Sequence, residues 1–170
     1  TSIEAIDYLN EHNIRSIIID HHEINRPYPK SNAIINPKKE QSKNENSFLC
    51  ATALTYFFIE ILIKQNKSNF KLSNFLIYVL LATICDVMPL RKINKIIARN
   101  TLDDFNLKSN LALSYIFDKY NLKKKITVDD LGYLIGPIIN AGGRLNHSKY
   151  GVELLTSNNA EIIKDRSNKL

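Results

Sequence analysis

The run Ile17-Ile18-Ile19 constrains this chain most, because three consecutive β-branched residues favour extended backbone and stop abruptly on Asp20-His21-His22. Ahead of it, Ile3, Ile6, Leu9 and Ile14 recur near helical spacing, so the order is helix, short turn, strand. A run without polar alternation suits a parallel strand covered on both faces. Ala33-Ile34-Ile35, closed by Asn36-Pro37, is the next candidate strand, and Arg26-Pro27-Tyr28-Pro29 between them reads as a loop. Residues 38–46 are polar and unpatterned and predict an exposed connection.

From Ser47 as N-cap, Phe48 to Lys64 predicts a helix that is apolar almost all round and therefore buried. Phe70 to Cys85 reads likewise and breaks at Pro89. Helices are then expected over Ile93 to Phe105, Leu111 to Tyr120 and Val128 to Ile135, followed by a Gly136-Pro137 turn and a last helix from about Asn159. The longest uncharged stretches, Phe48 to Ile59 and Leu72 to Cys85, fall short of the roughly 18 to 20 apolar residues that a membrane helix needs. They are expected in a core, and no membrane association is expected.

A chain of 170 residues suits one ordinary domain, and the net charge of +6 favours an acidic partner such as nucleic acid without identifying one. The run Lys123-Lys124-Lys125 lacks interleaved aromatics and reads as a solvated loop. Cys50 and Cys85 stand apart, with neither a CxxC nor a His pair at zinc spacing, so both are expected as reduced, buried thiols without chemistry in a cytoplasmic protein.

Three stretches carry potential chemistry. Asp20-His21-His22 falls where a strand should end, and open α/β sheets place their sites at the carboxyl ends of parallel strands. Imidazole and carboxylate together suit a borderline divalent ion such as Mn²⁺, although a polar loop closing a strand would look the same. Asp86 follows an uncharged helix directly, a position opposed by the helix dipole that hints at a nearby cation; a turn-forming aspartate is the plainer reading. The segment Leu131 to Leu145 holds four of the five glycines, and a tight loop there could present Asn140 and Arg144 to phosphate or be a structural turn.

In this order and at these separations, IIIDHHE, ATICDVMPL and GPIINAGGR, with AIINP and LCATAL between the first two, resemble the motifs of the RecJ branch of the DHH phosphoesterase superfamily. The likeness covers nearly the whole chain. It implies an α/β fold: part of a DHH-type domain with a few parallel strands flanked by helices over 1–90, then a mostly helical segment over 91–170 leading toward a DHHA1 domain. It also implies a 5′ to 3′ exonuclease for single-stranded DNA, working in repair and recombination, with a helicase and a single-strand-binding protein as possible partners. The implied chemistry is two-metal hydrolysis with Mn²⁺ or Mg²⁺, the ions lying about 4 Å apart. His21 and Asp86 would be ligands, His22 would ligate or contact phosphate, Asp20 would orient the imidazoles, and Asn140 and Arg144 would lie on the substrate side.

Departures from the family pattern matter equally. The family's DxD and second aspartate motifs are expected ahead of Thr1, and its DHHA1 and oligonucleotide-binding domains after Leu170, so the chain reads as a fragment. Ile138 replaces a usual arginine, removing one phosphate contact. Two ions held close together need several carboxylates, so the chain alone is expected to bind Mn²⁺ weakly and to show little nuclease activity. Two other readings remain: a DHH phosphoesterase for short oligonucleotides or cyclic dinucleotides, and a non-catalytic DHH-type scaffold.

Overall fold

The structure, a computed structural model, describes residues 2–39 and 46–170. The part of the expected connection that falls at residues 40–45 lies outside the described residues. The chain divides into two compact units, residues 1–94 and 95–170.

The first unit opens with α1 (Ile3–Glu11), whose first turn is capped by Ser2 accepting from the Ala5 N–H at 3.3 Å. β1 (Ile17–Ile19) and β2 (Ala33–Ile35) pair in parallel, Ile18 opposite Ile34. The ladder runs one bond further at each end, Asn32 N–H to Ser16 O and Asp20 N–H to Ile35 O, both 3.0 Å. Asp20 is therefore held by the sheet, not by a loose loop. The expectation of cover on both faces of β1 is corrected: Ile18 is buried, but Ile17 is 55% exposed.

α2 (Ala51–Gln65) starts later than expected, with Cys50 and not Ser47 at its N-cap. A short 3₁₀ turn (Leu72–Phe75) leads into α3 (Leu76–Cys85). α2 and α3 pack together around Ala53, Ile77, Val79 and Leu80, all fully buried. Thr83 survives in that core because its hydroxyl donates back to the Val79 carbonyl at 2.7 Å. α4 (Lys92–Asp104) begins at the end of this unit. There the buried Asn94 amide donates to Phe48 O and Pro89 O at 3.0 and 3.1 Å, tying the approach to α2 to the segment after α3. The paired expectation for the cysteines is half corrected: Cys50 is buried, whereas Cys85 is exposed.

The second unit is helical. α5 (Leu111–Lys119) buries Leu113, Ile116 and Phe117 against α8 (Lys149–Thr156) and α9 (Ala160–Lys169). The short α8 went unanticipated, lying between a glycine-rich segment and Asn159. No turn forms at Gly136-Pro137. α6 (Val128–Asp130), a π-helical turn (Leu131–Ile135) and α7 (Gly136–Arg144) follow one another without a break. A proline ring inside a helix collides with the carbonyl four residues earlier, and the wider π turn just before Pro137 relieves that clash. The start is fixed by a capping box in which Thr127 and Asp130 exchange side-chain and backbone bonds.

None of the glycines has positive φ, and two of them answer to packing. A Cβ on Gly142 would stand 3.0 Å from the His147 carbonyl oxygen and 3.2 Å from Leu170 Cδ2, and one on Gly151 would stand 3.0 Å from Ile139 Cγ2. These two residues let α7 and α8 approach closely.

Candidate metal centre

The site in the first unit is built where β1 ends. Asp20 Oδ1 accepts the backbone N–H groups of His21 and His22 at 2.8 and 3.3 Å and lies 2.7 Å from His22 Nδ1. An ionised carboxylate can only accept, so His22 carries its proton on Nδ1 and leaves the Nε2 lone pair available. The His22 side chain is 74% exposed, which puts that lone pair in reach of an ion or a phosphate. Asp20 thus orients the His22 imidazole and accepts the backbone N–H of His21.

His21 is held differently and is buried. Its Nδ1 accepts the N–H of Ala51, the first residue of α2, at 3.1 Å. This is one of the orphan donors of a helix start, and the imidazole stands in for the side-chain cap that Cys50 does not supply. Its Nε2 faces Asp86 Oδ2 at 3.7 Å, too far for a hydrogen bond. Two donors each ~2.1 Å from one ion and at right angles are ~3.0 Å apart, so this gap fits a shared divalent cation after a small approach. With Nδ1 accepting, the neutral ring keeps its proton on Nε2, and coordination there would move that proton and release the Ala51 N–H.

Asp86 is the C-cap of α3, with its own N–H reaching back to Ala82 O. The helix closes in a Schellman pattern: Val87 N–H donates to Ile84 O at 3.0 Å and Met88 N–H to Thr83 O at 2.9 Å. The residue in the left-handed position is Val87, at φ 54, where glycine is usual. A β-branched residue there is strained, and the strain sits immediately beside the carboxylate that faces His21. Partial burial pushes the adjacent Cys85 thiol up, and Asp86 pushes it further, so it stays protonated and unreactive near neutral pH.

One atom each from Asp20, His21 and His22 lies within 4.8 Å of the others, and the two imidazole centroids are 4.4 Å apart. Oxygen and nitrogen donors in this cluster match the chemistry of Mn²⁺ or Mg²⁺ ligands. The two residues that sequence reading did not single out are positioning ones. Ala51 holds His21, and the buried Asn36 donates from Nδ2 to the His22 carbonyl at 3.0 Å while its Oδ1 accepts the Lys38 N–H. Both fall inside the AIINP and LCATAL stretches, which carried the signal.

Asn140 and Arg144 lie in the second unit, four residues apart and exposed on α7. The phosphate-loop reading of this segment is corrected: these residues are helical, so their backbone N–H groups serve the helix and only side chains remain for a ligand. Ile138 is buried on the opposite side of α7, so the arginine replacement there adds to a core.

Comparison with known proteins bears on the family and the fold. Residues 1–84 match the family model described as the DHH family, N-terminal domain. The single-stranded-DNA-specific exonuclease RecJ of Haemophilus influenzae is 30% identical over 98% of this chain, and that of Escherichia coli 25% identical over 100% of it. The chain spans 30% and 32% of the length of these two relatives. RecJ in complex with Mn²⁺ from Thermus thermophilus superimposes at a TM-score of 0.83 with 17% identity, over 98% of this chain and 25% of that one. An exonuclease RecJ bound to manganese gives 0.83 with 18% identity, over 99% of this chain and 42% of that one. At those identities the structural likeness speaks for a shared fold. The first 84 residues are thus similar to the DHH family, and the likeness of the chain to RecJ proteins runs along its whole length.

Proposed function

We propose that this protein is a RecJ-type exonuclease that hydrolyses phosphodiester bonds of single-stranded DNA from the 5′ end, in the cytoplasm, in DNA repair and recombination. The observation that carries the reading is the cluster of Asp20, His21 and His22 at a strand end, with Asp86 from a helix end 3.7 Å from His21. His21 and Asp86 would hold a divalent ion. His22, fixed by Asp20, offers Nε2 to a second ion or to a phosphate oxygen. The chemistry that Mn²⁺ or Mg²⁺ supplies there is activation of water and neutralisation of phosphoryl charge. Asn140 and Arg144 bind the substrate, the guanidinium meeting phosphate as a fork.

Residues 1–90 carry the metal-binding part of the DHH domain, and 91–170 the helical segment bearing the substrate contacts. A helicase and a single-strand-binding protein would supply and protect the strand. No helix among the described residues is long and apolar enough to cross a membrane. The donor set holds two carboxylates, Asp20 and Asp86, against the mutual repulsion of two ions, so turnover by this chain is expected to be slow. The test is Mn²⁺-dependent release of nucleotides from end-labelled DNA. Slow release from the 5′ end of single strands, absent in Asp86→Ala, is expected; equal release from duplex, or an unaffected Asp86→Ala, would contradict the proposal.

A further inference from the structure

The continuous helical stretch from Val128 to Arg144 has two opposed faces. Leu131, Ile135, Ile138 and Gly142, stepping by four, three and four residues, are buried. Tyr133, Pro137, Asn140 and Arg144 step by the same intervals and are exposed. Residues two apart on a helix point about 200° apart, so the second set lines up on the side away from the core.

Tyr133 is the unusual member. It is 84% exposed, against 59% for Tyr8 and 55% for Phe70. Among the described residues its ring stacks on no other ring and its neighbours along the stripe are a proline, an amide and a guanidinium, with no carboxylate between Tyr133 and Arg144. The unit carries twelve Lys and Arg against eight Asp and Glu, so its surface favours a polyanion. A flat, freely accessible ring and a cation on one helix face, eleven residues and about 16 Å apart, are the two elements of single-strand recognition: stacking for bases and charge for the backbone.

We propose that this stripe is a single-stranded nucleic-acid contact in which a nucleobase stacks on Tyr133 while Arg144 holds a phosphate a few nucleotides along and Asn140 bonds between them. The inference rests on the proposed action on single-stranded DNA and adds a base contact to it. Stacking is indifferent to base identity, so the contact grips any sequence and rejects duplex, whose bases are already stacked.

The protein has no tryptophan, so Tyr133→Trp introduces a single reporter at the stripe. Titration with oligo(dT) in EDTA measures binding without hydrolysis. A saturable quench of the tryptophan is expected, with Tyr133→Ala weakening binding roughly tenfold and an oligonucleotide abasic at its centre losing more against the parent protein than against that variant. Arg144→Ala should weaken binding and flatten its salt dependence. Full-strength binding by Tyr133→Ala with no quench in Tyr133→Trp would overturn the stacking contact and leave action on single strands standing. Absence of binding by the parent protein would overturn both. Circular dichroism of the variants, which alter only exposed positions, separates loss of contact from loss of fold.

Discussion

Replacing Val87 with glycine should stabilise the first unit, against the usual effect of removing a β-branched side chain. Val87 occupies the left-handed position of the Schellman closure after α3 at φ 54, which costs an L-residue roughly 1–2 kcal/mol. It is 85% exposed, so almost no burial is lost on truncation. Against the relief stands the extra freedom of glycine in the unfolded chain, about 0.5–1 kcal/mol. The net gain is therefore about 0.5–1 kcal/mol, worth about 2–8 °C if the unit melts as a domain of its size. Thermal melts of the parent, Val87→Gly and Val87→Ala read this directly, and the alanine variant should gain less than glycine because it keeps a Cβ. A lower melting temperature for Val87→Gly would refute the strain argument. If the strained closure also fixes Asp86, the glycine variant should bind Mn²⁺ more weakly while melting higher.

Asp130 sets a second test. Burial pushes its pKa up, but the Lys124 ammonium, the Thr127 hydroxyl and the Thr127 N–H together bring it below the ordinary carboxylate range. The unfolded state therefore binds the proton more readily, and the stabilisation is complete above the unfolded value of about 3.9 and is lost as pH falls through the lower folded value. Asp130→Asn should flatten the acid limb of a urea-stability profile in that window and cost about 1–2 kcal/mol at neutral pH; an unchanged limb would remove the capping box from the account. Gly151→Ala should destabilise the second unit by about 1–3 kcal/mol, because the new Cβ meets Ile139 Cγ2 at 3.0 Å and the Ile139 carbonyl oxygen at 3.2 Å. Chemical denaturation showing no loss would mean that α7 and α8 can move apart freely.

What could be read from the chain divides along physical lines. The parallel pair was legible because Ile17-Ile18-Ile19 and Ala33-Ile34-Ile35 are local patterns, and Asp20 to His22 because its place follows from where the strand stops. Asp86 was legible as a helix end, whereas its 3.7 Å approach to His21 depends on packing of distant segments. The start of α2 was misplaced because the acceptor that its first N–H meets is an imidazole thirty residues earlier, not a local cap. The helix across Gly136-Pro137 was missed because two strong breakers are tolerated once a π turn precedes the proline and the glycines at 142 and 151 face close contacts. Tyr133 carried no signal beyond its spacing from Asn140 and Arg144.

The central claim is that His21 and Asp86 share a divalent cation. Calorimetric titration of the chain with Mn²⁺, beside His21→Ala and Asp86→Ala, tests it most directly. The account predicts weak binding in the parent, since only one carboxylate, Asp86, faces His21 across the proposed ion position, and its loss in both variants. Two tight Mn²⁺ sites in the parent, or binding that both substitutions leave unchanged, would contradict it.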